Sequence, residues 1–212
     1  DVLVTANLID RGLFVTRTFS LDGQAVTSDL GIVICPDAEL TGKDLSELDL
    51  LVICAGLRTP LRPIPVLRQL LRTAADKQVA LAGLWSGAWF IGQAGLLDGY
   101  RCAIHPEHRA ALAEIARHSQ VTSESFVVDR ERLTAASPTG AFHMVLEWIG
   151  TLHGHDLAEG IVGILAFEES RYKRVKPTLH AKMSEPLRTV LNGSSIFALI
   201  RLITVRLSLI HI

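Results

Sequence analysis

The chain has 212 residues, 49% of them hydrophobic, which is enough for one sizeable core and a small appendage. Its 21 Lys and Arg residues nearly balance 22 Asp and Glu residues, so the net charge of -1 gives no whole-protein electrostatic argument for nucleic-acid binding. The three cysteines are far apart in apolar surroundings and predict reduced core thiols of a cytoplasmic protein, with no disulfide, metal site or cofactor. They are Cys35, Cys54 and Cys102.

The first part of the chain predicts one helix followed by short strands. The helix covers 1–9 and ends before Gly12. Asp22-Gly23 is a hairpin-type turn signal. Strands are expected at 13–19, 32–35 and 50–54, the last a continuous apolar run typical of a strand buried on both faces. Because the chain opens on a helix without a methionine, we expect a segment upstream and a missing first strand.

The stretch from Ala80 to Gly92 organises the rest of the fold. An amphipathic helix at 63–77 precedes a buried strand at 80–84, which turns at Trp85-Ser86-Gly87 directly into a helix ending at Ala94. This pattern is typical of a strand-to-helix elbow, whose tip in nucleophile-elbow enzymes is Ser or Cys. Here the tip is either Trp85 or Ser86, and the sequence leaves both alignments open.

Strands and helices continue to alternate beyond the elbow. Helices are expected at 107–117, at 139–152 after Ser137-Pro138, and from a cap at Asp156 to Phe167, with a hairpin at 126–134 around Asp129-Arg130. This alternation predicts βαβ units, which means an α/β fold with a mostly parallel sheet and helices on both faces.

The C-terminal part differs in composition. The segment from Arg171 to Lys182 is basic and predicts a solvated linker or, alternatively, a lead-in to a nucleic-acid-binding module. The apolar stretch 195–212 contains Arg201 and Arg206, which argues against a membrane span and favours an unfinished or non-native tail.

Candidate site residues follow the carboxyl ends of the predicted strands, where α/β sheets bind ligands. Four backbone N–H groups are predicted to form a nest for a carboxylate or oxyanion, those of Gly56, Leu57, Ser86 and Gly87. Ser86 and His105 have the residue types of a nucleophile and its base, although His105 also fits a satisfied, partly buried histidine. The indole face of Trp85 suits a cation, and Trp89 is either a second wall of this cage or plain core.

These residues together resemble a known family. The run Gly87-Ala88, Ala94-Gly95-Leu96-Leu97-Asp98-Gly99 and His105-Pro106 is similar to the PfpI/class I glutamine-amidotransferase-like domain of AraC-type transcription regulators, in the arginine-, betaine- and carnitine-responsive branch. The opening Asp1-Val2-Leu3 with Ala6-Asn7 resembles the first helix of that domain. The block from Phe167 to Met183 resembles its link to a helix-turn-helix domain. The likeness runs from Asp1 to about Leu187.

The resemblance implies a flavodoxin-like three-layer sandwich and a site built from three positions. In the enzymes of the superfamily the elbow carries a cysteine, paired with an acid of the first helix and near a histidine. Carried over, the cysteine falls on Trp85, the acid on Asp1 and the histidine on His105. Because Trp85 has no thiol, cysteine-dependent chemistry is not expected.

The resemblance also implies a division of the chain and a set of partners. Residues 1–168 would sense a ligand, 169–190 would be a basic linker, and 191–212 would be a tail of unclear origin. The expected function is effector sensing by a homodimer that binds an amino acid or quaternary amine, with DNA contacted only through a helix-turn-helix domain absent from this chain. The alternatives are a Ser86–His105 hydrolase or amidase, and a poorly folding fragment.

Overall fold

The computed structural model describes residues 1–28 and 31–165 and the backbone of residues 207–211. The helices are α1 (Val2–Ile9), α2 (Pro65–Asp76), α3 (Gly87–Gln93), α4 (Arg109–Ile115), α5 (Pro138–His153) and α6 (His155–Ile164), with 3-10 turns at Asp44–Glu47 and Pro106–His108. The strands are β1 (Thr16–Ser20), β2 (Val26–Thr27), β3 (Val33–Ile34), β4 (Ala38–Glu39), β5 (Leu50–Ala55), β6 (Ala80–Trp85), β7 (Arg101–Cys102), β8 (Gln120–Val121), β9 (Phe126–Asp129), β10 (Arg132–Ala135) and β11 (Leu207–His211).

The main sheet has the order β4-β1-β11-β5-β6-β10-β9. All its neighbouring strands are parallel except the β9–β10 hairpin at one edge. Two small pairs, β2–β3 and β7–β8, lie apart from this sheet. The predicted α/β class with a mostly parallel sheet is confirmed.

The core lies on both faces of the sheet because alternate residues of a strand point to opposite sides. Leu51 and Ile53 of β5 pack in the layer of α2, α3 and α4. Leu50 and Val52 pack in the layer of α1, α5 and α6. The two layers explain why β5 is apolar along its whole length, and they give the predicted three-layer arrangement. Among the described residues, no helix combines the length and hydrophobicity that crossing a bilayer requires.

Several predicted boundaries differ from the structure. The strand expected from Leu13 begins only at Thr16, because the Asn7 amide bonds both backbone groups of Phe14, donating to its O at 2.7 Å and accepting from its N at 2.9 Å. Gly23 has a left-handed φ of 71° as a turn requires, but the strands on either side of it do not pair. The hairpin is formed by β2 and β3 instead.

Helix α6 also starts differently from its prediction. Gly154, with φ 93°, occupies the N-cap, so Asp156 lies in the first turn rather than at the cap. Phe167, the predicted end of this helix, and the basic segment 171–182 lie outside the described residues.

Part of the apolar stretch 195–212, for which an unfinished or non-native tail is the expectation, forms a strand of the main sheet. The backbone of β11 lies between β1 and β5 and pairs in parallel with both. Strands β4 and β1 join the rest of the sheet through β11. The sheet is therefore continuous from β4 to β9, while 191–206 lie outside the described residues.

Candidate functional site

The turn between β6 and α3 has Trp85 at its tip. Trp85 ends β6 with φ 56°, a left-handed conformation that bulky residues rarely adopt. Ser86 returns to right-handed backbone with φ -80°, and α3 begins at Gly87. This sharp strand-to-helix turn is the geometry of a nucleophile elbow. Of the two alignments that the sequence allowed, the structure has Trp85 at the tip.

Two glycines permit this turn. A Cβ on Gly83 would lie 2.5 Å from the Ala88 N, and a Cβ on Gly87 would lie 2.2 Å from the Ile53 O. Both contacts are with backbone, which cannot move aside as a flexible side chain would. The two positions must therefore be glycine for α3 to pack against β5 and β6.

Ser86 is turned into the protein rather than toward solvent. It is 0% exposed, and its Oγ has no hydrogen-bond partner among the described residues. Its N–H donates to the Ala55 O at 3.1 Å, and its O accepts from the Trp89 N at 3.0 Å. The Ser86 N–H is therefore engaged within the fold and does not join the anion nest predicted from four amides, while the parts of Gly56, Leu57 and Gly87 in that nest stay a prediction.

His105 lies beside the elbow, in the loop after β7. Its ring meets the Trp85 indole edge to face, with centroids 5.6 Å apart and an interplanar angle of 83°. Its Nδ1 accepts from the Glu107 N at 3.4 Å. Burial lowers the pKa of His105 below its ordinary value of 6.5, and the positive charges of His108 and Arg109 lower it further, against the opposing effect of Glu107. His105 is therefore a neutral imidazole at neutral pH.

The next turn of chain adds two residues that the sequence patterns did not single out. The His108 ring lies 6.1 Å from that of His105, and its Nε2 is 3.3 Å from the Leu57 O. Arg109 donates from Nη2 to the Ser123 O at 3.3 Å, while its buried Nε has no hydrogen-bond partner in the described part of the chain. Their position three and four residues after His105, at the start of a helical segment, is the signal that could have identified them.

The loop 56–58 closes the same side of the site. It follows β5 directly, and β5 and β6 end side by side with Ala55 opposite Trp85. The Thr59 N donates to the Gly56 O at 3.3 Å, which folds the loop back on itself. Through the contact of His108 with Leu57, the structure brings together the loop, the elbow and the His105 segment, as expected for the carboxyl edge of a parallel sheet.

Asp1 and Trp89 complete the predicted site residues. Asp1 is partly exposed at the N-cap of α1, where its side chain makes no capping hydrogen bond. Trp89 is only 5% exposed and packs edge to face on Phe90, with centroids 5.1 Å apart. Trp89 is therefore core, and its interpretation as a second wall of the cage is wrong.

The cysteines near the site do not replace the thiol that the elbow lacks. Burial raises the pKa of the Cys54 thiol, one residue before the end of β5, to about 12. Burial also raises the pKa of Cys102, which is 0% exposed. Both thiols stay protonated at neutral pH and are poor nucleophiles. Cys35 is exposed, so its prediction as a core thiol is wrong. Within the described ranges, no three His, Cys, Asp or Glu side chains are grouped as metal ligands would be.

Comparison with known proteins places the chain in a family. Residues 1–151 match the model of the DJ-1/PfpI family. A crystal structure of an AraC family transcriptional regulator from Pseudomonas putida is 51% identical, has a TM-score of 0.75, and aligns over 77% of this chain and 88% of its own.

Curated relatives point the same way. The HTH-type transcriptional regulators GbdR and CdhR of Pseudomonas aeruginosa are 32% and 35% identical to this chain. The alignments cover 77% and 74% of this chain but 44% and 46% of those proteins, so the chain spans about half the length of the curated relatives it matches. The chain belongs to the DJ-1/PfpI family, in the branch found in AraC-type transcriptional regulators.

Proposed function

We propose that this chain contains the effector-sensing and dimer-forming domain of an AraC-type transcriptional regulator. The site around Trp85 binds a small nitrogenous metabolite, an amino acid or a quaternary amine, and performs no chemistry on it. The observation that carries the proposal is Trp85 itself, in left-handed backbone at the elbow tip where an enzyme of this architecture presents its nucleophile. DNA contact belongs to a helix-turn-helix region.

The surroundings of the elbow support binding without turnover. An indole is not a nucleophile, and the Cys54 thiol is held protonated by burial. Ser86, the remaining hydroxyl at the turn, is fully buried, which argues against the Ser86–His105 hydrolase even though a neutral His105 has the protonation state of a base. Relatives of this chain are transcriptional regulators, which agrees with a non-enzymatic role.

The site favours a ligand that carries both a cationic group and a carboxylate. An indole face attracts an ammonium, guanidinium or quaternary amine, and the attraction is larger for Trp than for Phe. The guanidinium of Arg109, four residues after His105, adds a positive charge to this segment, which favours a carboxylate. The ligand would place its cationic group against Trp85 and its carboxylate toward the N–H groups of Gly56, Leu57 and Gly87. Binding that differs between two arrangements of a dimer would then bias the attached DNA-binding region.

Thermal unfolding with a panel of metabolites tests the proposal. The panel contains arginine, ornithine, betaine, carnitine, glutamine and simple amides. A ligand that binds the native state should add about 2.7 kcal/mol of stability at a concentration a hundred times its dissociation constant. One cationic metabolite should raise the melting temperature of the wild-type chain and lose this effect in Trp85→Ala.

A second variant distinguishes the cation–π attraction of the Trp85 ring from the effect of its size. Trp85→Phe keeps a ring with a weaker cation–π attraction, so its ligand-induced shift should lie between those of wild type and Trp85→Ala. Val66→Ala, at an exposed position of α2, is the control and should respond as wild type does. Equal affinity in wild type and Trp85→Ala would rule out the cage.

A further inference from the structure

A surface cavity of about 330 Å³ opens between two stretches of the chain, residues 99–101 and 117–120. The two stretches run side by side, since they lead into the parallel strands β7 and β8. The Gly99 N also donates to the His118 O at 2.9 Å. Backbone hydrogen bonds between the two stretches therefore hold the walls of this cavity in place, and we call it the Arg117 cavity.

The Arg117 cavity lies at the amino edge of the main sheet, opposite to the edge that carries the elbow. The Arg101 N donates to the Asp129 Oδ2 at 2.8 Å, and Asp129 pairs with Arg132 at the start of β10. Strand β10 runs parallel to β6, and Trp85 is at the far end of β6. The cavity is therefore separate from the site around Trp85.

The lining of the Arg117 cavity is positively charged. Arg101 and Arg117 line it together with the imidazole of His118, and none of its lining residues is acidic. Arg101 is paired with Glu124. Among the described residues, Arg117 donates only from Nε, to the Glu114 O at 3.2 Å, and forms no ion pair with a carboxylate. Because Arg117 is exposed, its terminal N–H groups are available to a ligand.

The acidic residues beside the cavity are bonded to other groups. Asp129 accepts from the Arg130 Nε at 3.0 Å as well as from the Arg101 N. Glu131 accepts from the Tyr100 hydroxyl at 3.1 Å. Two exposed acids of the neighbouring turns do not line the cavity, Asp98 and Glu114. A cation that lacks a counter-ion within a concave surface attracts anions from solution.

We propose that the Arg117 cavity binds a phosphate group. A guanidinium presents a planar fork of donors that matches the oxygens of a phosphate. The side-chain amide of Gln120 and the imidazole of His118 line the same cavity and supply donors from other directions. A tetrahedral phosphate accepts hydrogen bonds in all these directions, whereas one guanidinium fork satisfies a planar carboxylate. The inference goes beyond the proposed function and does not depend on effector binding.

Amide chemical shifts of the isotope-labelled 212-residue chain test the proposal. Titration with inorganic phosphate at constant ionic strength should shift the amide signals of 99–101 and 117–120 and should reach saturation. Arg117→Gln should weaken this binding at least about tenfold, the equivalent of one charge-assisted hydrogen bond. Because Arg117 is exposed, the rest of the spectrum of this variant should match that of wild type.

Arg68→Gln is the matched control. Arg68 is an exposed arginine of α2, so its replacement removes the same charge at a position that does not line the cavity. This variant should bind phosphate as wild type does. Equal weakening by Arg68→Gln and Arg117→Gln would show that phosphate responds only to total charge, and this result would overturn the proposal. The absence of saturable shifts at 99–101 and 117–120 would overturn it too.

A second titration, with a DNA duplex of about 12 base pairs, identifies the source of the phosphate group. If the duplex shifts the same amide signals at a lower phosphate concentration than inorganic phosphate does, the cavity contacts the backbone of DNA. If inorganic phosphate shifts them and the duplex does not, the ligand is a small phosphate compound. Shifts confined to 56–58 and 85–87 would place the phosphate at the elbow and would contradict the proposal.

Discussion

The Trp85 and His105 rings meet edge to face, with centroids 5.6 Å apart and an interplanar angle of 83°. Trp85 belongs to the end of β6, whereas His105 belongs to a loop about twenty residues further along the chain. In an enzyme built on this elbow, the same two positions would hold a nucleophile beside its histidine. Here they hold two aromatic rings, and the proposed function assigns ligand recognition to the surface that an enzyme would use for bond cleavage.

Gly87→Ala should destabilise the protein strongly. Its Cβ would lie 2.2 Å from the Ile53 O, a backbone contact that only movement of α3 or β5 could relieve. We expect the free energy of unfolding to fall by about 3 kcal/mol, the upper range for an overpacked core. Urea denaturation measures this change.

The control for Gly87→Ala is a glycine in open space. Gly163 lies inside α6, has no left-handed φ, and has no atom within 4 Å of the place that an alanine Cβ would occupy. Gly163→Ala should raise the free energy of unfolding by roughly 0.5–1 kcal/mol because alanine favours helix. Similar destabilisation by both substitutions would show that the close approach at the elbow does not set the effect of Gly87→Ala.

Ser86 and Ser137 make a matched pair of helix N-caps. Ser137 accepts from the Gly140 N at 3.0 Å, so Ser137→Ala should cost about 1 kcal/mol of stability. Ser86 precedes α3 but makes no capping bond, and its buried Oγ has no partner among the described residues. Ser86→Ala should therefore leave stability unchanged or raise it.

Thermal unfolding of both serine variants measures the difference. Ser86→Ala also separates the sensor from the hydrolase, since a sensor should keep its ligand-induced shift in this variant. Loss of a measurable ester or amide turnover on this substitution would instead support Ser86 as a nucleophile.

The lowered pKa of His105 predicts a pH dependence of stability. Because the unfolded chain binds a proton at this residue more readily than the folded protein, protonation favours unfolding. The contribution is fully present above the ordinary pKa of 6.5 and is lost as pH falls through that value toward the lower folded pKa. Stability should therefore decrease on acidification.

A substitution at His105 separates the contribution of this residue to the pH dependence of stability from that of the carboxylates. His105→Gln keeps an acceptor for the Glu107 N–H but cannot be protonated, so its free energy of unfolding should fall less between about pH 7.5 and about pH 5.5 than that of wild type. The exposed His118 provides the control, since His118→Gln should follow the wild-type curve. Parallel curves for His105→Gln and wild type would refute the assignment.

The position of the elbow is readable in the sequence, whereas its tip is not. The apolar run 80–84, the turn at Trp85-Ser86-Gly87 and the helical pattern after it are local signals, and they predict β6 and α3 nearly to the residue. Whether Trp85 or Ser86 occupies the tip depends on the left-handed φ of Trp85 and on the close approach of Gly83 and Gly87 to neighbouring backbone. The contact of Gly87 is with a different strand, so no local pattern reports it.

The strand at 207–211 shows the same limit more strongly. Its apolar character is visible in the sequence, but its place between β1 and β5 is a pairing with segments that lie far away along the chain, which periodicity does not encode.

The sequence by itself determined the α/β class, the elbow and the absence of a thiol at its tip, because alternating apolar patterns and residue identity are local properties of the chain. Only the tertiary structure decided that Ser86 is buried, that Trp89 is core, that His108 and Arg109 join His105, and that the thiol of Cys54 is held protonated. The physical reason is that the burial of a side chain, its pKa and its ring contacts depend on which distant segments of the chain pack against it. A local sequence pattern does not contain that information.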